Sequence, residues 1–251
     1  MSDTFDFSGK IVLVTGSSRG IGGAMITGFA RCGARCVVNY VNDRDGRNKA
    51  DAERVGAKLE DALVIECDVA DEQGVARMMT QIGSALGGLD ILVNNAGILR
   101  DRTIKKMTMA DWDAVLKVNL TGAFNCIHQA APILRNGGRI VNIASLSAAM
   151  GIFGQANYAA SKAGLIALTK VAARELAKQQ ITVNAIAPGA IETEILQAVP
   201  EDVKKQYLQQ IPLGEFGQVQ DVVNAAMFLC SASSRYITGQ VIHVNGGMLM
   251  P

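Results

Sequence analysis

Two patterns of hydrophobic and polar positions alternate along the chain. Short apolar runs rich in Val and Ile are typical of strands that are buried on both faces. The longer stretches between them space their apolar residues three and four apart, as amphipathic helices do. We predict strands at residues 10–15, 34–40, 62–67, 89–93, 139–144, 181–187 and 239–244.

The helical stretches fall between these strands. We predict helices from the first glycine-rich turn to Cys32 and at residues 45–55, 71–86, 109–134, 157–178 and 218–231, with Asn136-Gly-Gly138 ending the longest. Residues 194–210 form an amphipathic segment that we expect to be mobile. Strict alternation without a linker or repeat predicts an α/β fold, a doubly wound Rossmann-type domain. We expect one domain over residues 1–251, with a seven-stranded parallel sheet, helices on both faces and a lid at about residues 192–216.

Charge and composition exclude several classes of protein. A net charge of +1 argues against nucleic acid or an anionic membrane as an electrostatic partner. No apolar run approaches the roughly 18 residues of a membrane span, and the acidic start is unlike a secretory signal. The five cysteines have neither metal-site spacing nor an even framework. We therefore expect reduced thiols, no metal site and a cytoplasmic location.

Ser145, Tyr158 and Lys162 are the candidate catalytic residues. Ser145 follows the predicted fifth strand, while Tyr158 and Lys162 lie four apart and so share one helix face. A neighbouring Lys cation lowers the pKa of a phenol, and a Ser hydroxyl can hold a carbonyl oxygen. The three groups together favour proton transfer at an oxygen atom. A Tyr–Lys pair at this spacing is more often a pair of surface side chains, so the assignment needs support elsewhere.

A glycine-rich turn between the first strand and the first helix is a candidate phosphate loop. Its residues are Gly16, Ser17, Ser18, Arg19, Gly20, Ile21 and Gly22. Glycines let the backbone approach a pyrophosphate, and the N-terminus of the helix offers free N–H groups. The spacing differs from the common GxGxxG pattern, so a glycine-rich turn without a ligand stays open as an alternative.

The end of the second strand bears on which nicotinamide cofactor would bind. An acid at that position favours NAD, whereas a nearby cation accepts the 2′-phosphate of NADP. The strand ends at Asn39 and Tyr40 without an acid, and Arg19 lies in the phosphate loop. We therefore predict NADP(H).

The motifs taken in order resemble the short-chain dehydrogenase/reductase family. They are residues 15–22, residues 94–97, Asn119, Ser145 and the Tyr158/Lys162 pair, and the resemblance covers nearly the whole chain. It implies that Tyr158 is the general acid, that Ser145 orients the carbonyl, that Lys162 lowers the Tyr158 pKa and holds the nicotinamide ribose, and that Asn119 anchors a relay water. It also implies cofactor contacts from Asp68, Val69, Asn95, Ala96, Gly97, Pro188, Gly189, Ile191 and Thr193.

Residues 154–164, 181–189, 236–239 and 243–248 are most similar to the 3-oxoacyl-[acyl-carrier-protein] reductases of that family. This resemblance implies NADPH-dependent reduction of a 3-oxoacyl thioester, carried by acyl carrier protein or coenzyme A, in a homotetramer. The same chemistry on a secondary alcohol or cyclic ketone is an alternative. The shape and charge of the lid would decide between this substrate and a thioester. A nucleotide-binding scaffold without turnover is a remote alternative, because Ser145, Tyr158 and Lys162 are all present.

An acidic carrier protein would need a basic docking surface beside the active site. Three groups of residues could supply it: Arg135 with Arg139, Lys178 at the end of the Tyr/Lys helix, and Lys105 with Lys106 after Arg100 and Arg102. Two Gln residues follow Lys178, and residues 131–138 look short for this subfamily, so the first two groups are weak. Carrier protein and coenzyme A both stay open as the thioester carrier.

Overall fold

The computed structural model describes residues 5–197 and 199–250, except for the side chain of Ile195. Residues 1–4 of the acidic start, position 198 of the predicted lid and Pro251 lie outside the described residues.

One parallel sheet takes strands from the whole chain. They are β1 Ile11–Val14, β2 Arg35–Tyr40, β3 Leu63–Glu66, β4 Leu89–Asn94, β5 Leu134–Ile143, β6 Thr182–Pro188 and β7 Val241–Val244. Their order across the sheet is β3-β2-β1-β4-β5-β6-β7, and every neighbouring pair is parallel. The predicted seven-stranded parallel sheet is confirmed.

Helices connect the strands, as expected for parallel neighbours. They are α1 Gly20–Arg31, α2 Arg47–Gly56, α3 Glu72–Leu86, α4 Met109–Leu116, α5 Gly122–Ala130, α6 Ser147–Met150, α7 Ala156–Glu175, α8 Glu194–Gln197, α9 Glu201–Gln210 and α10 Val219–Cys230. Short 3₁₀ turns at Ala177–Gln179 and Ala232–Ser234 follow α7 and α10. Among the residues described, every helix is too short or too polar to cross a lipid bilayer.

The sheet has a hydrophobic core on each face. Val12 and Val14 of β1 point into one core, together with α1 and α10. Ile11 and Leu13 of the same strand point into the other, together with α3 and α5. This alternation is what a strand that is buried on both faces requires, and it explains the apolar runs of the sequence.

The prediction of one continuous helix over residues 109–134 is wrong, because the helix is interrupted and ends earlier. A π-helical turn at Lys117–Thr121 separates α4 from α5, and α5 ends at Ala130. Pro132 explains the end, because a residue that precedes proline is disfavoured in a helix. Leu134 already pairs with Leu89 of β4, so Asn136-Gly-Gly138 lies inside β5 and ends no helix.

Four of the five cysteines, Cys36, Cys67, Cys126 and Cys230, are buried in the hydrophobic cores, and Cys32 is half-buried. Burial raises the pKa of Cys36 to about 12 and that of Cys67 to about 11. These two thiols are therefore protonated near neutral pH.

The strand order reverses direction between β1 and β4. Successive connections run to opposite sides of this point, which leaves a crevice at the carboxyl ends of the strands. The loops after β1, β4 and β5 open onto this crevice.

Candidate active site

A cavity of about 770 Å³ occupies the crevice. Nearly all the predicted site residues line it: Gly16, Ser18, Arg19, Gly20, Ile21, Gly22, Asn39, Tyr40, Asp68, Val69, Asn95, Ala96, Gly97, Ser145, Tyr158, Lys162, Pro188, Gly189, Ile191 and Thr193. Ser17 and Asn119 do not line it, because both side chains are buried behind its wall.

The phosphate loop is shaped for close backbone approach. Gly16 and Gly20 have φ angles of 63° and 57°, which favour glycine. A Cβ on Gly22 would lie 2.5 Å from the carbonyl oxygen of Gly16 and would also strike the Asn95 amide. The first turn of α1 has no side-chain cap, so its N–H groups remain available to an anion.

Asn39 stabilises the phosphate loop through hydrogen bonds. Its Oδ1 accepts a 3.0 Å hydrogen bond from Gly16 N, and its Nδ2 donates to the carbonyl of Cys67 at 3.0 Å. Its own N–H donates to Ser17 Oγ at 3.1 Å. Asn39 and Ser17 therefore hold the loop in place, and the buried Ser17 hydroxyl points away from the cavity.

The carboxylates that follow β2 are already engaged. Asp43 Oδ1 accepts a 3.0 Å hydrogen bond from Asn48 N, close to the start of α2. Asp51 lies 3.6 Å from the Nε of Arg19 and 2.8 Å from Arg54 Nη1. Arg19 lines the cavity at this end, and its side chain is about one-third exposed.

Lys162 links α7 to the end of β5. Its Nζ donates a 2.7 Å hydrogen bond to the carbonyl oxygen of Ile143, and the residue is only 3 % exposed. Burial lowers the pKa of Lys162 to about 8. The ammonium lies 5.6 Å from the centre of the Tyr158 ring, so α7 holds both groups together, as their spacing predicts.

The pKa of Tyr158 departs from the expectation. Burial raises this pKa, and a hydrogen bond with the Ser145 side chain opposes the rise as a smaller effect. The phenol is therefore protonated at neutral pH, which is the form that a proton donor needs.

Asn119 lies in the π-helical turn between α4 and α5. Its Oδ1 accepts a 2.8 Å hydrogen bond from Ile98 N, and its Nδ2 donates to the Ile98 carbonyl and to Ser161 Oγ. A Cβ on Gly97 would lie 3.3 Å from Asn119 Oδ1 and 3.6 Å from Lys162 Nζ. Asn119 thus fixes the loop after β4 against the Lys162 ammonium.

The remaining wall of the cavity is largely apolar and was not predicted residue by residue. It includes Ile98, Leu99, Leu146, Ile152, Leu196, Val199, Tyr207 and Met248. Several of these side chains come from the predicted lid, and Met248 comes from the segment after β7. The sequence does not mark these residues as lining a cavity, since an apolar residue in a loop is equally compatible with packing against the core.

Comparison with known proteins identifies the family. A sequence model described as enoyl-(acyl carrier protein) reductase matches residues 16–249. The chain belongs to the short-chain dehydrogenase/reductase family and is an oxidoreductase, as its motif order predicted.

Two relatives and one solved structure show which members of the family this chain is similar to. The 3-oxoacyl-[acyl-carrier-protein] reductase FabG of Staphylococcus aureus is 47 % identical over 243 residues, 96 % of this chain and 98 % of that protein. FabG of Aquifex aeolicus is 45 % identical, again over 96 % of this chain and 97 % of its own length. A Brucella melitensis structure described as a short-chain dehydrogenase/reductase, glucose/ribitol dehydrogenase, has a TM-score of 0.89 at 32 % identity, covering 98 % of this chain and 99 % of that one.

Proposed function

We propose that this protein reduces a 3-oxoacyl thioester to the 3-hydroxyacyl thioester with NADPH. The observation that carries the proposal is the meeting of Ser145, Tyr158 and Lys162 in the same cavity as the phosphate loop. The identity of 47 % with a FabG protein over nearly the whole chain supports the substrate class.

NADPH fits the residues that line the crevice. The uncapped start of α1 would hold the pyrophosphate, and the missing side chain of Gly22 lets α1 pack closely against the loop at Gly16. Arg19 would read the 2′-phosphate, since the nearby Asp43 and Asp51 are already hydrogen bonded or ion paired. We assign the rest of the cofactor site to Asp68, Val69, Asn95, Ala96, Gly97, Pro188, Gly189, Ile191 and Thr193.

Tyr158 donates the proton in this mechanism. When bound, the nicotinamide supplies the hydride. The protonated phenol gives its proton to the carbonyl oxygen of the substrate, which the Ser145 hydroxyl holds in place. The positive charge of Lys162 stabilises the phenolate that proton donation leaves behind.

Asn119 belongs to the supply of protons rather than to substrate binding. Both Nδ2 hydrogens are donated to Ile98 and Ser161 and Oδ1 accepts from Ile98 N, so we assign the relay water to the backbone of the π-helical turn. The turn itself supports such a role, because π-turns within helices occur often at functional sites.

Exposed large apolar side chains support a homotetramer. Phe124 of α5 and Val171 of α7 are each 50 % exposed. Phe228 at the end of α10, Tyr236 beyond it and Met250 are exposed as well. Subunit interfaces that include these side chains would cover them. Light scattering coupled to gel filtration tests the mass directly.

The deciding assay follows nicotinamide oxidation with an acetoacetyl thioester, comparing NADPH with NADH. Fast oxidation of NADPH is the expected result. Tight NADPH binding without turnover of the thioester would contradict the proposed substrate class and direct the search to secondary alcohols and cyclic ketones. Failure of either nicotinamide to bind would contradict the cofactor assignment itself.

A further inference from the structure

A basic and apolar surface borders the mouth of the cavity. This rim surface consists of Arg102, Ile104, Lys105, Lys106 and Phe153. Ile104 is 82 % exposed and Phe153 is 88 % exposed, values unusual for side chains of this size. Large apolar side chains that project beside unpaired cations are typical of an interaction site.

Two loops build the rim surface and connect it to the cavity. Arg102 N donates a 2.8 Å hydrogen bond to the carbonyl of Gly154, and Gln155 Nε2 donates to Asp101 Oδ2 at 2.8 Å. The first loop also contributes Leu99 to the cavity wall, and the second contributes Ile152. A partner seated on the rim surface would therefore lie directly beside the entrance.

The two sides of the entrance carry opposite charge. Residues 99–106 contain four cations and one acid, whereas the lid at residues 192–216 contains five acids and two lysines. Arg100 is paired with Asp111 at 3.4 Å, but within the described ranges Arg102, Lys105 and Lys106 form no ion pair. An acidic partner would be attracted to the rim surface and repelled by the lid.

The other basic groups predicted for docking are poorly placed or already engaged. Arg135 and Arg139 lie in the first half of β5, away from its carboxyl end and Ser145. Arg135 Nη1 pairs with Asp90 at 2.9 Å, and the Arg139 guanidinium donates to the carbonyls of Gly137 and Gly138.

Lys178 lies beyond the far end of α7. That helix has 20 residues and carries Tyr158 in its first turn. It is about 30 Å long, at 1.5 Å per residue. The expectation that Arg135, Arg139 and Lys178 flank this chain's own site is therefore wrong.

We propose that the rim surface docks an acidic acyl carrier protein, which delivers its thioester into the cavity between Leu99 and Ile152. The proposal rests on the proposed thioester reduction and names the carrier and its binding surface. Lys105 and Lys106 supply the electrostatic attraction, and the exposed side chains of Ile104 and Phe153 supply the apolar contact.

A charge-reversal variant tests the rim surface. Lys105→Glu/Lys106→Glu is compared with Lys58→Glu/Lys178→Glu, which changes the net charge equally at other exposed positions. The substrates are acetoacetyl-acyl carrier protein and the small uncharged acetoacetyl-N-acetylcysteamine. We expect the rim variant to raise KM for the carrier-linked substrate by about tenfold or more, because charges at the edge of an interface govern association. The control should keep the wild-type KM.

The small substrate reports on the cavity alone. For it, we expect both variants to keep wild-type kcat and KM. An unchanged KM of the rim variant for the carrier-linked substrate would overturn the proposal, as would an equal rise for both substrates. Phe153→Ser should weaken the carrier-linked reaction selectively in the same way.

A direct binding measurement separates docking from turnover. Fluorescence anisotropy of labelled holo-acyl carrier protein is titrated with wild type and with both variants. Loss of binding only in the rim variant supports the docking surface even if no thioester is reduced, a result that would count against the proposed function alone. Equal binding by all three proteins would overturn the docking proposal and leave the proposed function standing.

Discussion

The ammonium of Lys162 lies 2.7 Å from the carbonyl oxygen of Ile143, the last residue of β5. This hydrogen bond fixes the helix that carries Tyr158 against the strand that leads to Ser145. Burial of the ammonium lowers its pKa to about 8, within reach of physiological pH. Two measurable consequences follow for the proposed reaction and for stability.

We predict that the rate of reduction falls as the pH rises through about 8. Protonated Lys162 favours the phenolate formed on Tyr158, and this charge is lost above its pKa of about 8. The measurement is kcat against pH with saturating NADPH and an uncharged thioester. A profile that stays flat from about pH 7 to about pH 10 would argue against a role for the Lys162 charge.

We predict that Lys162→Met stabilises the fold at neutral pH. The pKa of Lys162 falls from 10.5 to about 8 on folding, so the unfolded chain binds the proton more tightly. Stability therefore rises with pH between these values, and the penalty is fully present below about pH 8. Removing the charge should add up to roughly 3 kcal/mol to the free energy of unfolding at pH 7.

Urea denaturation at several pH values checks this prediction. The stability gain of Lys162→Met should shrink as the pH rises from about 8 towards 10.5. Lys170→Met is the matched control, since Lys170 lies exposed on the same helix. Equal gains for the two variants would mean that burial of the Lys162 charge does not destabilise the protein.

Tyr158→Phe should remove nearly all turnover and leave NADPH binding intact. Loss of a general acid lowers kcat by roughly 10²–10⁴-fold, whereas the phenyl ring keeps the shape of the side chain. Tyr207→Phe is the control, because Tyr207 lines the same cavity from the lid. Steady-state kinetics and fluorescence titration of NADPH measure the two effects. A Tyr158→Phe enzyme with wild-type kcat would exclude Tyr158 as the acid.

Arg19→Ala should weaken NADPH far more than NADH. A charge-assisted contact with phosphate is worth roughly 1.5–3 kcal/mol, or about ten- to a hundredfold in Kd. Arg54→Ala is the matched control, because Arg54 also pairs with Asp51 but does not line the cavity. Titration of both nicotinamides provides the values. Similar losses for NADPH and NADH would show that Arg19 does not read the phosphate.

Neighbouring glycines of α1 should respond differently to alanine. A Cβ on Gly22 would lie 2.5 Å from the Gly16 carbonyl oxygen, whereas a Cβ on Gly23 would lie 3.5 Å from its nearest neighbour. We expect Gly22→Ala to abolish cofactor binding and Gly23→Ala to keep it with a gain of about 0.5–1 kcal/mol in stability. Cofactor titration and thermal unfolding compare the variants. Intact cofactor binding by Gly22→Ala would show that the site does not depend on the close packing of Gly22 against the Gly16 carbonyl.

The sequence predicted the elements whose signal is local. Apolar runs located all seven strands, and the glycines of residues 16–22 marked the turn that opens the cavity. The 158/162 spacing also placed Tyr158 and Lys162 on one face of α7, since helical periodicity alone decides that relationship.

The features that the sequence did not predict concern contacts between segments that are distant in the chain. The sequence could not show that Ser17 would turn inward to the backbone of Asn39, or that burial would raise the pKa of the Tyr158 phenol. Both depend on tertiary packing. The true end of the helix before Pro132 has a local cause, because proline disfavours helix at the residue before it and precedes the glycines at 137 and 138.

The π-helical turn at Lys117–Thr121 places Asn119 off the regular helical path between α4 and α5. A π-turn absorbs one residue more than that path needs, so α4 and α5 keep their relative orientation. Deleting one residue there would restore regular winding and leave the hydrogen bond from Asn157 to the Asp111 carbonyl in place. It would move Asn119 away from Ile98, whose backbone it bonds on both sides. A deletion at this turn should therefore loosen the loop after β4 rather than the packing of α4.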